Sequence, residues 1–179
     1  MKLLLKGGKV IDPANNINKI ADVLIENGKI TDIRENLSID DGKTIDVTDK
    51  IVVPGLIDMH THMREPGQEA KEDFVSGSRA AAAGGYTTIA SMPNTKPVVD
   101  SSIIIKGLKQ RAATDAIVNI EIIGALTKGQ KGMELAEIGD MSQAGAVAFS
   151  DDGHYVQNSK VLLNGLDYLH PFDKIIISH

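Results

Sequence analysis

Two histidines one residue apart close an apolar stretch in Asp58-Met59-His60-Thr61-His62. At the end of a strand, residues i and i+2 point to the same side, so His60 and His62 could face one ion together. Neutral imidazole nitrogen is a good ligand for zinc and similar cations. An arbitrary His-x-His is more often a pair of surface histidines in a polar loop. Here the pair ends an apolar run that follows Pro54-Gly55, which favours the metal reading. Phe149-Ser150-Asp151-Asp152-Gly153 is a second candidate. A carboxylate there could bridge two cations or accept from a ligand histidine, while Asp-Asp-Gly fits a polar turn equally well. His179, after Ile175-Ile176-Ile177-Ser178, is a third. Two further groups suit an anionic ligand. Arg64 could clamp a carboxylate in the bidentate geometry that guanidinium favours, its alternative being an ion pair with Glu65 or Glu69. Asn94, in Met92-Pro93-Asn94-Thr95, could donate and accept, its alternative being a turn residue beside proline.

Elements of two kinds must hold these groups. Residues 1–50 read as a small β-layer of short strands: Leu3–Leu5 and Lys9–Ile11 separated by Gly7-Gly8, then Asp22–Glu26 and Lys29–Ile33 flanking Asn27-Gly28. That dipeptide is a hairpin signal because both residues tolerate positive φ. From residue 51 the pattern becomes strand, loop, helix, repeated. Strands are expected at Ile51–Met59 (broken by Pro54-Gly55), Tyr86–Met92, Ile117–Leu126, Ala146–Phe149 and Lys174–Ser178. Helices are expected over 69–83, Ser102–Ala113, 133–143 and Ser159–His170, the second capped by Asp100 or Ser101. Such alternation calls for a parallel sheet. Ile175-Ile176-Ile177 has the continuous apolar character of a strand buried on both faces. A doubly wound sheet and part of a (β/α)8 barrel are both compatible with it. In either, sites are built at the carboxyl ends of the strands, where the candidate residues fall.

Composition narrows the chemistry. The 179 residues contain no cysteine, so any metal must sit on histidine and carboxylate rather than thiolate. A formal net charge of -5 gives no electrostatic footprint for nucleic acid. No stretch approaches the roughly 18 consecutive apolar residues of a membrane span. Met1–Lys6 is too short an apolar run for a signal peptide. A cytoplasmic enzyme, with no membrane or nucleic-acid partner, is the expectation.

Read together, the blocks resemble the class I, bacterial-type dihydroorotases of the amidohydrolase superfamily. Residues Pro54 to Gly67, including Asp58-Met59-His60-Thr61-His62-Met63-Arg64-Glu65-Pro66-Gly67, resemble the family signature. Ala80–Thr88, Met92-Pro93-Asn94-Thr95, Gly124-Ala125-Leu126-Thr127-Lys128-Gly129, Ser150-Asp151-Asp152-Gly153 and Ser178-His179 continue the likeness in order. The resemblance implies a (β/α)8 barrel, of which 51–179 would be the first half with about five strands. Before it would lie a small, incomplete β-sandwich-like domain over 1–50. It implies reversible cyclisation of N-carbamoyl-L-aspartate to dihydroorotate, in pyrimidine biosynthesis, by metal-activated hydroxide. It further implies two zinc ions: His60 and His62 on one, Asp152 bridging, His179 on the second. Arg64 and Asn94 would hold the substrate carboxylate.

Related hydantoinases usually place a carboxylated lysine on strand four. Ala146–Phe149 has no lysine, which leaves Asp152 as the bridge, and Lys128 reads as a loop residue. His154, His170 and Arg79 read as structural or surface residues. A hydantoinase- or allantoinase-like enzyme is the nearest alternative, disfavoured by Arg64 and Pro93-Asn94-Thr95. A non-catalytic scaffold for aspartate carbamoyltransferase is another, disfavoured by the intact ligand set. The family barrel, about 250 residues by itself, is expected to continue past His179 and to supply a further metal histidine and the acid/base aspartate. No catalytic acid/base is therefore assigned within 1–179, and this chain alone is expected to be an inactive, association-prone portion of an enzyme. Its expected partners are the missing C-terminal half, a second copy of itself, or aspartate carbamoyltransferase.

Overall fold

Asn27 and Gly28 adopt φ of 51° and 77° in the computed structural model, which describes all residues, Met1–His179. They close the antiparallel hairpin of β2 (Ile17–Glu26) and β3 (Lys29–Arg34). The preceding strand, β1 (Lys2–Asp12), runs unbroken through Gly7-Gly8, where two short strands were expected. The register against β2 shifts between Leu5 and Gly8, so the glycines make a bulge rather than a break. Asp22, buried, accepts from the Gly7 and Leu37 amides at 2.7 and 2.9 Å, pinning the bulge. The other edge of β1 takes β4 (Lys43–Asp46) and β5 (Ile51–Val52), both parallel. Ile51–Val52, whose apolar run was read as leading into the first barrel strand, thus completes a five-stranded mixed sheet. Val10, Ala21 and Val23 form its core. This sheet lies in one compact unit, Met1–Pro54; Gly55–His179 form the other.

The second unit is built from β6 (Leu56–Thr61), α1 (Phe74–Ala83), β7 (Tyr86–Ser91), α2 (Ser102–Asp115), β8 (Asn119–Gly124), α3 (Ile138–Ala144), β9 (Ala148–Phe149), α4 (Ser159–Leu169) and β10 (Ile175–Ile176). All five strands pair in parallel, in the sequential order β10-β9-β8-β7-β6. Alternation along each strand sends neighbouring residues to opposite faces. Ile89, Ile122 and Phe149 join the large core with Ile105, Leu108 and Met141 of the helices. Ala90, Ile123 and Ala148 form a smaller apolar cluster with Met92. Gly124 lies beside Phe149, whose ring would be 2.9 Å from any added Cβ; the close strand approach here needs glycine.

Three expectations need correction. The first helix begins at Phe74 rather than 69, because Asp73 and Ser76 form a reciprocal capping box and Glu65 takes the Phe74 amide. The third helix begins at Ile138 rather than 133. Residues 127–135 turn back instead, with the Lys128 amide on the Glu134 carbonyl. Ile175 is 62% exposed, not buried on both faces, because β10 is an edge of this sheet.

Candidate metal centre

The carboxyl end of β6 delivers the two histidines through an irregular turn of the strand. Its register against β7 shifts between Asp58 and Thr61, and the Asp58 carboxylate takes the freed His60 amide at 3.0 Å. The Thr61 hydroxyl donates to the Ala90 carbonyl at 2.8 Å, and the Met92 amide to the Thr61 carbonyl at 2.9 Å, so the strand end is fixed at the residue between the two histidines. The two imidazoles lie 5.3 Å apart between centroids, edge to face.

Asp152 is the hub. It follows β9 and is 1% exposed. Oδ1 lies 2.9 Å from His60 Nε2 and 3.0 Å from His179 Nδ1; Oδ2 lies 3.6 Å from His62 Nε2 and accepts from Asn94 Nδ2 at 2.8 Å. A carboxylate only accepts, so Asn94 must present its amide nitrogen here and its oxygen to the other side. That oxygen is 3.1 Å from His62 Nδ1, which must therefore carry the proton. With Nδ1 turned to Asn94, Nε2 is the ring nitrogen that faces the Asp152 side, the arrangement a metal-ligating histidine uses. One donor atom from each of His60, His62 and Asp152 lies within 4.8 Å of the others. Two imidazoles and a buried carboxylate, without sulfur, fit a divalent cation of zinc type. His179 lies outside that three-residue group and joins it through Asp152.

Arg64 sits in the left-handed region at φ 58° and makes no ion pair. Glu65, buried, is engaged by Arg111 and the Phe74 amide, and Glu69 accepts from the Gly67 amide at 2.7 Å, so neither expected partner holds it. The Gly67 hydrogen bond also holds the Glu69 carboxyl below its ordinary range. Asn94 is no idle turn residue, since both its polar atoms touch the histidine–aspartate cluster. Its nitrogen keeps one further N–H for a ligand. Lys128 pairs with Glu134 at 2.6 Å, which raises its pKa, and takes no part in the cluster. His154 donates its amide to the Asp151 carbonyl, while His170 and Arg79 make no ion pair.

Some residues around the cluster were invisible to sequence reasoning. Thr127 meets Asp151 across 24 positions and Gln130 meets Asp152 across 22, and no spacing rule signals such contacts. Asp58 could have been found as a polar residue inside an apolar strand. Beside these loops lies an open cavity of about 520 Å³, lined by Gln130, Lys131, Met133, His154, Tyr155 and Asn158.

The family described as Dihydro-orotase-like matches residues 49–179. This chain belongs to that family. Among curated proteins, it is 49% identical over 177 residues to the dihydroorotase of Acetivibrio thermocellus, covering 99% of this chain and 42% of that protein. It is 46% identical over 180 residues to the dihydroorotase of Geobacter metallireducens, covering 100% and 42%. The chain thus spans about 42% of the length of these dihydroorotases. Among solved structures, the L-hydantoinase of Arthrobacter aurescens superposes with a TM-score of 0.85 at 24% identity, over 99% of this chain and 40% of that one. A D-hydantoinase from Thermus sp. gives 0.73 at 26%, over 99% and 40%. The five parallel strands of this dihydroorotase-like chain thus take the partial-barrel fold of these hydantoinases, and the mixed sheet is a separate N-terminal unit.

Proposed function

We propose that this chain supplies the first metal-ligand set and the carboxylate-binding arginine of a dihydroorotase, which interconverts N-carbamoyl-L-aspartate and dihydroorotate. The observation that carries the reading is the enclosure of buried Asp152 by His60, His62 and His179, with an unpaired Arg64 two residues beyond His62. His60 and His62 would hold one zinc ion, Asp152 would bridge, and His179 would hold a second. Metal bound there supplies Lewis acidity and a lowered pKa for water. In the hydrolytic direction, water adds to the ring amide carbonyl and the C–N bond opens to the carbamoyl amino acid. Arg64 holds the exocyclic carboxylate by charge-assisted hydrogen bonds, and the remaining N–H of Asn94 adds a second point of attachment. Two fixed points orient the ring amide over the cluster, turning binding energy into rate. The acid/base aspartate and a further histidine would come from strands outside these residues, so the 1–179 segment by itself is proposed to be inactive. A cytoplasmic setting, and a homodimer or an aspartate carbamoyltransferase complex, go with this reading.

The test is elemental analysis and dihydroorotate hydrolysis on the full-length protein, beside the His60→Ala/His62→Ala variant. About two metal ions per chain, lost in the variant together with hydrolysis, is the expected result. Turnover of hydantoin but not dihydroorotate would replace the substrate assignment. A folded full-length protein that binds no metal would overturn the proposal in favour of a non-catalytic scaffold.

A further inference from the structure

Asp151 and Asp152 are adjacent, both buried, and serve opposite sides of the chain. Asp152 faces the histidines. Asp151 instead accepts from the Leu126 and Thr127 amides at 3.0 Å each and from the Thr127 hydroxyl. That hydroxyl accepts in turn from the Gly132 amide at 2.9 Å. The loop after β8 is thereby fastened to the residue beside the hub. It also reaches back: Gln130, only 9% exposed, donates from Nε2 to the main-chain carbonyl of Asp152 at 3.3 Å. Gln130 is held at φ 56°, directly after Gly129 at φ 58°. The left-handed region is unfavourable for an unbranched L-residue such as glutamine. Here that conformation accompanies the one side chain of the loop that touches Asp152.

Resting on the reading of Asp152 as a metal ligand, we infer that the 126–132 loop is the positioning device for that carboxylate, with Asp151, Thr127 and Gln130 as its working parts. Asp151 locks the loop to the strand end, and Gln130 locks the peptide plane of Asp152. Together they fix where the carboxylate points before any cation arrives. Partners of this kind, which do not touch the metal, set affinity by holding the ligand in place. None of the three residues is itself a ligand.

The experiment is a cobalt(II) titration of the full-length, metal-free protein. Affinity is read by competition with a chelator, geometry by the visible spectrum of bound cobalt, and stability by melting without metal. Q130A and T127V are expected to weaken cobalt binding about ten- to a hundredfold and to alter the spectrum. Q130E, which puts an acceptor where a donor is needed, should be worse than Q130A, while D152A should bind least. Spectra and affinities equal to wild type in Q130A and T127V, with only the melting temperature lowered, would overturn the inference and leave the loop purely structural. Wild-type protein without cobalt affinity, or D152A binding as tightly as wild type, would instead overturn the metal-centre reading beneath it.

Discussion

Arg64 carries the sharpest expectation at the scale of single residues. It has no ion-pair partner, and its backbone is held at positive φ by a turn in which the Gln68 amide bonds its carbonyl at 3.0 Å. On the proposed reading, truncating it removes a charge-assisted contact to substrate and no ion pair within the protein. In the full-length enzyme, R64A should therefore lower kcat/KM for dihydroorotate by about a hundredfold, equivalent to about 2–3 kcal/mol. Metal content and melting temperature should stay as in wild type. R64K should recover little, because an ammonium cannot make the bidentate contact; full recovery would show that charge alone is read. Asp151 gives the opposite pattern. D151A strands two amides and a hydroxyl in a buried loop, and should cost about 2–4 kcal/mol in denaturant unfolding. The residues legible in the sequence were those lying at strand ends, because strand parity and order along the chain announce them. Asn94 was legible as a polar group but not as the residue that fixes the His62 tautomer, since that depends on a contact across 32 positions. Thr127 and Gln130 gave no signal, being ordinary loop residues until the chain folds.

At the scale of elements, the misplaced start of α1 has a local physical cause. Apolar spacing marks where a helix is buried, not where its first turn is satisfied. For α1 the decision belongs to Asp73, whose side chain takes the Ser76 amide at 2.7 Å while Ser76 answers through its hydroxyl. These hydrogen bonds hold the Asp73 carboxyl below its ordinary value of 3.8. A depressed carboxyl stabilises the fold above that ordinary value, and the contribution is lost as pH falls through the still lower folded-state value. D73A should therefore melt below wild type at neutral pH, and the gap should close on acidification below 3.8. A gap of constant size across that range would show the carboxylate charge to be irrelevant to the cap. The loop feeding α1 gives a second check. Gly67 sits at φ 84°, and a Cβ there would come within 1.6 Å of the Lys96 carbonyl oxygen. G67A should cost at least about 1 kcal/mol and should displace the loop that carries Arg64, raising KM for dihydroorotate. Wild-type stability in G67A would mean that the 64–68 and 96–97 segments part at no cost.

At the scale of the whole molecule, the alternation of strand and helix, and hence the parallel sheet, was legible from residue 51 onward because each strand–helix repeat carries the same apolar pattern. Barrel and open sheet remained indistinguishable, since closure depends on strands pairing far beyond the local pattern that periodicity reports. The mixed pairing of β1 was likewise hidden: β4 and β5 are short, and their polar flanks resemble loop. In the second unit β6 and β10 each have one neighbour, and their outer edges expose main-chain donors and acceptors. Apolar side chains accompany them: Ile57 is 64% exposed, Met59 69% and Ile175 62%. An edge with free hydrogen-bonding groups and apolar flanks is a template for further strands. Added parallel strands would cover such a surface, and the relatives, of which this chain spans 42%, have further chain of their own. Protein made as residues 1–179 alone should therefore self-associate. Its apparent mass in size-exclusion chromatography should rise with loading concentration, whereas the full-length protein should elute at one defined mass. Ile57→Lys and Met59→Lys together should reduce that association in the 1–179 protein, because two ammonium groups at one edge oppose strand addition. The same pair in the full-length protein should impair folding, because there the charges would be buried against neighbouring strands. A 1–179 protein that stays monomeric at every concentration would show that its edges are protected by some other means, and that the open sheet is a stable end state.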